Sequence, residues 1–335
     1  MFDIIKKDFG KNSLLYTISN KNGFKVMLAD VGASITGIYF PDKFGNSIEV
    51  AFGSDNIDFY SAKFKNGHMG ATTGRVAGRT IGAKFLIDNI EYRLTANKGE
   101  DHTHGGVDGL SYVFYSSKII DNNIIEFSYL SKDGEEGYPG NLDLKVRYTI
   151  TEDNALIIDY YATTDKKTPV NIMNHSYFNL NGSGKINNHK IFIDAKYYLA
   201  EDENGITTGE IKKTENTIYD FSSLKYINDA IEKNNGIDNC YIFSSNDITK
   251  KRVEVILEES GIGLEVYTTK PSILFYTANH LNNLEVRGQK LNSFEAFCLE
   301  AQYFSSALNY NHFPSIILDV NEEYRHRTIY KFFNL

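Results

Sequence analysis

The fold is decided by a pattern that first occurs in Leu14-Leu-Tyr-Thr-Ile18, Asn20-Lys-Asn-Gly23 and Phe24-Lys-Val-Met-Leu28. Apolar and polar residues alternate in the first and third segments, which is typical of strands that bury one face. The asparagines and the glycine between them favour a turn, so the three segments predict an antiparallel hairpin. The same pattern returns in Val253-Glu-Val-Ile-Leu257, Glu259-Ser-Gly261 and Ile262-Gly-Leu-Glu-Val-Tyr267.

Hairpins of this kind account for most of the chain. A helical period is clear only in Leu224, Ile227 and Ile231, and a shorter stretch after Ser54 is a second candidate helix. Many short strands without the spacing of β-α-β units indicate an all-β protein. We therefore expect a large antiparallel β-sandwich with a few short helices, formed by residues 1–335 as a single domain.

Composition narrows the class of partner. The chain has 335 residues and a formal net charge of -8, which argues against nucleic acid or an anionic membrane as the ligand. No apolar run has the length of a signal peptide or a membrane span. Cys240 and Cys298 are too few for a disulfide framework, which fits a reducing compartment. We expect a cytoplasmic protein that binds a small molecule, and monomer and homodimer both stay open.

The stretch Asn171-Ile-Met-Asn-His-Ser-Tyr-Phe-Asn-Leu-Asn-Gly-Ser-Gly184 has the features of a site. It follows the extended run Ala155-Leu-Ile-Ile-Asp-Tyr-Tyr-Ala162 and ends in a glycine-rich loop. Site residues often lie on loops that a rigid sheet positions. His175 therefore becomes a candidate functional residue, and a histidine that only satisfies its own strand end is the alternative.

A glycine-rich segment, Gly70-Ala-Thr-Thr-Gly-Arg-Val-Ala-Gly-Arg-Thr-Ile-Gly82, holds two arginines. It does not match a phosphate-binding P-loop, because Arg79 stands where lysine belongs and the loop is one residue short. We interpret it as a loop that presents one arginine to a ligand pocket, since a guanidinium offers a rigid fork of donors. A surface loop with two solvated arginines is the alternative.

Three further candidates carry titratable side chains. In Asp101-His-Thr-His-Gly-Gly106, an extended backbone would place His102 and His104 on one face, but no third metal ligand is near in sequence, so we predict no metal. Glu300, between Leu299 and Ala301, is by itself most simply an exposed strand carboxylate. Asp238 is equally ambiguous. Together these groups suit acid/base chemistry, and no activated serine or cysteine motif accompanies them.

These residues fall in motifs that resemble the aldose 1-epimerase (galactose mutarotase) family from about Val31 to the C-terminus. The motifs, in the family's order, are Gly74-Arg-Val-Ala-Gly-Arg79, His104-Gly-Gly106, Asn174-His-Ser-Tyr-Phe-Asn-Leu180, Gly236-Ile-Asp238, Thr268-Thr-Lys-Pro271, Phe275-Tyr-Thr277, Leu299-Glu-Ala-Gln302 and Tyr324-Arg-His-Arg-Thr-Ile-Tyr-Lys-Phe332. No single motif would identify the family, and the resemblance is specific because all of the motifs occur together.

The resemblance implies a galactose mutarotase-like β-sandwich that interconverts the α and β anomers of free hexoses, galactose or glucose, without cofactor or metal. It assigns Glu300 as the general base that removes the proton of the C1 hydroxyl and His175 as the general acid that protonates the ring oxygen. It implies four residues at the sugar, namely Arg79, His104, Asp238 and Phe275.

The chain departs from the family pattern at several positions. Leu274 stands where glutamine is usual, Asn239 where histidine is common and Gly78 where asparagine is common, and Asp101-His102 replaces an Asn-x pair. These departures bear on sugar preference. Three other functions stay open from the sequence: epimerisation of hexose 6-phosphates, glycoside hydrolysis by Asp238 and Glu300, and carbohydrate binding without catalysis.

Overall fold

The computed structural model of the protein describes residues 2–63 and 66–335. Its strands, in chain order, are β1 Asp3–Gly10, β2 Ser13–Ser19, β3 Lys25–Ala29, β4 Ser34–Pro41, β5 Ser47–Ala51, β6 Thr72–Thr73, β7 Arg79–Thr80, β8 Lys84–Ile87, β9 Ile90–Arg93, β10 His102–Thr103, β11 Ser116–Asp121, β12 Ile124–Ser131, β13 Leu142–Ile150, β14 Ala155–Thr164, β15 Thr168–Pro169, β16 Met173–Asn174, β17 Tyr177–Phe178, β18 Lys190–Ile193, β19 Tyr197–Glu201, β20 Thr207–Lys213, β21 Lys225–Tyr226, β22 Asp238–Ile242, β23 Val253–Leu257, β24 Ile262–Thr268, β25 Ser272–Tyr276, β26 Leu284–Val286, β27 Gln289–Leu291, β28 Phe297–Gln302, β29 Ile317–Leu318 and β30 Tyr324–Asn334. The α-helices are α1 Ile57–Ser61 and α2 Asn228–Asn234.

Two large antiparallel sheets dominate the fold. One has 11 strands in the order β1-β2-β3-β4-β5-β17-β28-β25-β22-β19-β20, and the other has nine in the order β11-β12-β13-β14-β30-β24-β23-β18-β21. The predicted hairpins around Asn20-Lys-Asn-Gly23 and Glu259-Ser-Gly261 are present as the pairs β2/β3 and β23/β24. The expected all-β antiparallel architecture is confirmed.

The main core lies between the two sheets. Its buried apolar residues come from both layers, for example Phe178, Phe275 and Leu299 from the larger sheet and Ile158 and Tyr330 from the smaller one. The rings of Phe178 and Tyr330 lie 5.2 Å apart between centroids, and the Tyr330 hydroxyl donates to the Leu299 carbonyl at 2.9 Å. These contacts hold β30 of one sheet against β17 and β28 of the other.

The helices agree only in part with the sequence pattern. The candidate after Ser54 is α1, whose first turn is capped by the Asn56 side chain. The second prediction starts too early, because Leu224 precedes strand β21, which pairs with β18, and α2 begins only at Asn228. Strand pairing there overrides the local helical period. Within the described residues no helix is long and apolar enough to cross a membrane.

Arg75, in the glycine-rich segment, is a structural residue. Its guanidinium is 2% exposed and donates to the carbonyls of Ser131, Lys132, Pro139 and Gly140 at 2.9–3.1 Å. It thereby ties this segment to the end of β12 and to the loop before β13. The alternative of two solvated arginines is therefore wrong.

We predict that Arg75→Met destabilises the fold by about 3 kcal/mol or more, because several buried carbonyls lose their donors at about 1–3 kcal/mol each. Urea unfolding measures the change. The matched control is Arg93→Met, since the Arg93 side chain is 78% exposed and its replacement should cost less than about 0.5 kcal/mol. Equal effects of the two substitutions would contradict the structural role of Arg75.

Candidate active site

The site lies on the face of the larger sheet that points away from the main core. In the ladder of β25 with β28, Leu274 pairs with Glu300, and in the ladder of β22 with β25, Asp238 pairs with Tyr276. Directly opposed residues point to the same face, and residues two apart along a strand share that face. Glu300, Leu274, Tyr276 and Asp238 therefore lie on one face, and Leu299 lies on the other.

A cavity of about 230 Å³ opens on this face, beneath loops from residues 66–79 and 98–105. Five of the six residues predicted to act on or bind a ligand line it, namely Arg79, His104, His175, Asp238 and Glu300. They come from positions up to 221 apart in the chain, as 79 and 300 show.

The sixth residue, Phe275, is elsewhere. It is fully buried in the main core, where its ring meets that of Phe221 edge-on at 5.8 Å. Because side chains alternate along β25, its neighbours Leu274 and Tyr276 line the cavity instead. The expectation that Phe275 touches a ligand is not supported by this geometry, and Tyr276 is the aromatic residue that this strand presents.

The backbone of His175 is fixed by the segment around Gly70. The His175 amide donates to the Ala71 carbonyl at 3.0 Å, and the Gly70 amide donates to the His175 carbonyl at 2.8 Å. The Asn174 side chain adds a bond to the Gly70 carbonyl at 2.7 Å. The imidazole thus projects from a backbone that is held on both sides of the residue.

The closest contact between titratable groups in the cavity joins His175 Nε2 and Glu300 Oε1 at 3.3 Å. The Glu300 carboxyl is 2% exposed, so the reading of an exposed strand carboxylate is wrong. Burial lowers the pKa of His175 to about 3 and raises the pKa of Glu300 well above its ordinary value. Both shifts favour the uncharged forms, a neutral imidazole beside a protonated carboxyl.

His104 and His68 complete a group of imidazoles beside His175. The ring centroid of His104 lies 5.4 Å from that of His175 and 5.1 Å from that of His68. The sequence analysis did not identify His68, which lines the cavity and is held by Ser111 at 3.1 Å. No local motif marks it, because its position near the other histidines depends on the fold.

The His104-Gly-Gly106 loop packs against the backbone of the glycine-rich segment. A Cβ on Gly105 would lie 1.6 Å from the Gly74 carbonyl oxygen, so this close approach requires glycine. The His104 amide donates to the Gly78 carbonyl at 2.9 Å. Gly105 therefore leaves room for the backbone of a second loop, and the contact sets His104 beside Arg79.

Arg79 is oriented by a carboxylate behind it. Its guanidinium donates to Asp101 Oδ2 at 2.7 Å, and the other oxygen of Asp101 accepts the Gly82 amide at 2.8 Å. The Arg79 side chain is 12% exposed, at the cavity wall. Asp101 therefore balances the charge of Arg79 and leaves its remaining donors for a ligand.

The two histidines of Asp101-His-Thr-His-Gly-Gly106 have separate roles. His102 is fully buried and is bonded to the Thr95 carbonyl and the Tyr138 hydroxyl, both at 2.7 Å, so it supports the loop. The described residues do contain one group with the composition of a metal site, His104, His175 and Glu300, whose ligand atoms lie within 4.8 Å of one another. These are the same groups that the acid/base interpretation uses.

A second cavity, of about 460 Å³, adjoins the first. The two share Glu201, Gly205, Asp238 and His280 as lining residues. Glu201 was also missed by the sequence analysis, since nothing in Tyr197–Glu201 separates it from an ordinary strand carboxylate. The site therefore continues past Asp238 toward the edge of the sheet.

Comparisons with known proteins agree on one family. The family model described as aldose 1-epimerase matches residues 14–331. A galactose mutarotase from Bos taurus is 36% identical over 315 residues, covering 92% of this chain and 91% of that protein. An aldose 1-epimerase from Escherichia coli K12 is 32% identical over 334 residues, covering 96% of each. The solved structure of a GalM/aldose epimerase homologue from C. elegans superposes with a TM-score of 0.90, at 27% identity and full coverage of both chains.

We predict that His175 stays uncharged down to about pH 4, because its pKa is lowered to about 3 by burial. Nitrogen-15 chemical shifts of the imidazole measure this directly, and the missing signals of His175→Asn assign them. In the unfolded chain the same imidazole takes up a proton below about pH 6.5. The stability that depends on neutral His175 is therefore complete above pH 6.5 and is lost as the pH falls toward 3. A titration midpoint between pH 6 and 7 would contradict the burial argument.

Proposed function

Because the chain belongs to the aldose 1-epimerase family, we propose that Glu300 and His175 are the general base and general acid of its reaction. The protein is an isomerase that interconverts the anomers of sugars, as the resemblance in its motifs implied. The relatives named galactose mutarotase support galactose as the free hexose that it takes, and glucose is the other hexose that the motifs implied.

The observation that carries this proposal is the 3.3 Å contact between His175 and Glu300 in a buried cavity. Ring opening needs a proton taken from the hydroxyl on C1 and another delivered to the ring oxygen. Both oxygens are bonded to C1, so the groups that serve them must be neighbours. A positioned base and acid of this kind are effective general catalysts.

The His175–Glu300 pair holds the same number of protons before and after ring opening, so the reaction can run in both directions. The opening step needs the other tautomer of the pair, in which the proton has moved from Glu300 to His175. Glu300 then accepts the proton of the C1 hydroxyl while His175 gives its proton to the ring oxygen, and the ring C–O bond breaks to leave an aldehyde. The pair then holds one proton on Glu300, which is the form that burial favours for both groups. Rotation about the C1–C2 bond and reversal of both transfers close the ring as the other anomer.

The remaining lining residues fit sugar binding. Arg79 and His104 offer nitrogen groups to hydroxyls from one wall, and Asp238 offers a carboxylate from the floor of the sheet. Tyr276 and Leu274 supply the apolar part of the lining. In this proposal Leu274 offers no hydrogen bond where the family commonly has glutamine.

The other candidate functions fit less well. A phosphate ester would meet the carboxyls of Asp238, Glu201 and Glu300, while the guanidinium of Arg79 is already paired with Asp101. For glycoside hydrolysis, the near partner of Glu300 would have to be a carboxyl, and it is His175. Carbohydrate binding without catalysis gives no reason for an acid and a base in contact.

We predict that Glu300→Gln and His175→Asn each lower kcat for galactose by about 10²–10⁴, because each removes one partner of the proton transfer. Polarimetry of freshly dissolved α-D-galactose measures the rate, and Glu323→Gln is the control, since Glu323 is exposed and far from the cavity lining. The double variant should lose less than the product of the single losses, since both residues serve one relay. A Glu300→Gln variant within about threefold of the wild-type kcat would refute the proposed mechanism.

We predict that Arg79→Ala raises KM by about tenfold or more with a smaller change in kcat. Hydrogen bonds to a charged group contribute about 1.5–3 kcal/mol, and Arg79 would make them to substrate and transition state alike. Initial rates over a range of galactose concentrations separate kcat from KM. The variant Asp101→Asn tests whether the carboxylate that orients Arg79 contributes to the same KM. A collapse of kcat at unchanged KM would instead assign Arg79 to the developing charge of the transition state.

A further inference from the structure

Glu201 and Asp238 form a pair of carboxyls at the junction of the two cavities, and both line each cavity. Their strands are neighbours, with Tyr197 paired to Ile242 and Tyr198 paired to Tyr241. The ladder between them does not extend to Glu201, because β19 has a register shift between Leu199 and Glu201. Both carboxyls line both cavities, so they project into the site from neighbouring strands.

The two groups have no counter-ion in contact. In the part of the chain that the structure describes, neither carboxyl group has a hydrogen bond or an ion pair to another side chain. The basic residues near the pair are Lys98 and Arg79, whose charges lower the pKa of both carboxyls, and His280, which lowers the pKa of Asp238 and lines both cavities. A carboxyl pair without a partner differs from Asp101, which is occupied by Arg79.

Proximity makes it costly for both groups to be ionised. Burial raises the pKa of Glu201 to about 8, and the charge of Asp238 adds to that shift. Burial also raises the pKa of Asp238, to about 6. A cation placed between the carboxyls would relieve this repulsion and replace the proton on Glu201.

The position of the carboxyl pair relative to Glu300 and His175 determines which carbons of a bound sugar lie near the pair. Strand β22 is the second neighbour of β28, which puts Asp238 about 10 Å across the sheet from Glu300. Glu201 lies one strand farther. In a pyranose whose C1 and ring oxygen face Glu300 and His175, the bond on the opposite side of the ring is C3–C4. Substituents on those carbons point toward the pair, whereas a C2 substituent lies beside the C1 hydroxyl.

We propose that the site favours aldoses that carry an ammonium group on the C3–C4 side of the ring, held between Glu201 and Asp238. This inference rests on the proposed function, since it uses Glu300 and His175 to orient the sugar. An ammonium has three donors, enough for both carboxylates and for one further acceptor. The second cavity behind the pair, with Asn234 and Asn279 in its lining, keeps that side of the ammonium in a polar environment.

The test compares three sugars that differ in one group: D-glucose, 3-amino-3-deoxy-D-glucose and 2-amino-2-deoxy-D-glucose. Exchange between anomer signals in proton NMR at pH 6.5 gives kcat/KM for each, with the uncatalysed rate subtracted. We expect kcat/KM for the 3-amino sugar to exceed that for glucose by about tenfold or more, because that is the gain in binding from one hydrogen bond between charged groups. The 2-amino sugar should show no such gain.

Two variants locate the effect. In Glu201→Gln the ratio of the 3-amino sugar to glucose should fall to about 1, because the amide cannot balance the ammonium. In Glu323→Gln, an exposed carboxyl remote from both cavities, the ratio should stay at the wild-type value. Calorimetric titration of the wild-type protein with each sugar gives the preference as a ratio of Kd values, so the comparison does not depend on the folding of any variant.

The outcomes separate the two proposals. If D-glucose and D-galactose are turned over but the 3-amino sugar shows no gain in kcat/KM or Kd, the ammonium preference is wrong and the epimerase mechanism stands. A gain that survives Glu201→Gln also overturns it, because another group then binds the amine. If no sugar is turned over, the proposed mechanism fails, and the Kd ratio alone decides whether the carboxyl pair binds an ammonium.

Discussion

The site depends on the register of β22, β25 and β28 in the middle of the 11-stranded sheet. The pairings of Leu274 with Glu300 and of Asp238 with Tyr276 assign these side chains to the cavity and leave Phe275 and Leu299 to the core. A slip by one residue would exchange the two faces and bury a carboxyl among apolar side chains. Burial of an aromatic or leucine side chain contributes about 1.5–3 kcal/mol, so the core face fixes the register that the chemistry uses. One face of these strands therefore stabilises the fold, and the opposite face lines the cavity.

Burial also sets the proton chemistry. Glu300 and His175 are removed from water by the sheet beneath them and the loops above, and their uncharged forms are favoured for that reason. One atom of each, Glu300 Oε2 and His175 Nδ1, has no hydrogen-bond partner among the described residues. Unsatisfied buried polar atoms are costly and are concentrated at functional sites. A ligand with several hydroxyls would offset that cost by bonding to these two atoms.

Alternation and turn residues were enough to predict the antiparallel hairpins, because each is specified within 15 consecutive residues, as in 14–28 and 253–267. The helix near Leu224 was placed too early, since pairing of β21 with β18 is a contact between distant segments. The site residues divide in the same way, into those that local motifs mark and those that contacts between distant segments place. Glu300 and His175, which stand in the family motifs, line the cavity, but Phe275 was assigned to the wrong side of a strand, which only the register of β25 decides. His68 and Glu201 carry no local signal, because their relation to the cavity exists only in the folded chain.

The two histidines at 102 and 104 show why residue type and spacing do not fix a role. Alternation would place both imidazoles on one face, but β10 ends at Thr103 and His104 has a positive φ of 51°. The backbone turns between them, so His102 is buried beneath the loop while His104 enters the cavity. Directly after this turn, Gly105 lies against the Gly74 carbonyl, and the two loops meet there without a side chain between them. The wall of the cavity that carries His104 and Arg79 is therefore positioned by backbone against backbone, and the place of His104 depends on the glycine that follows it.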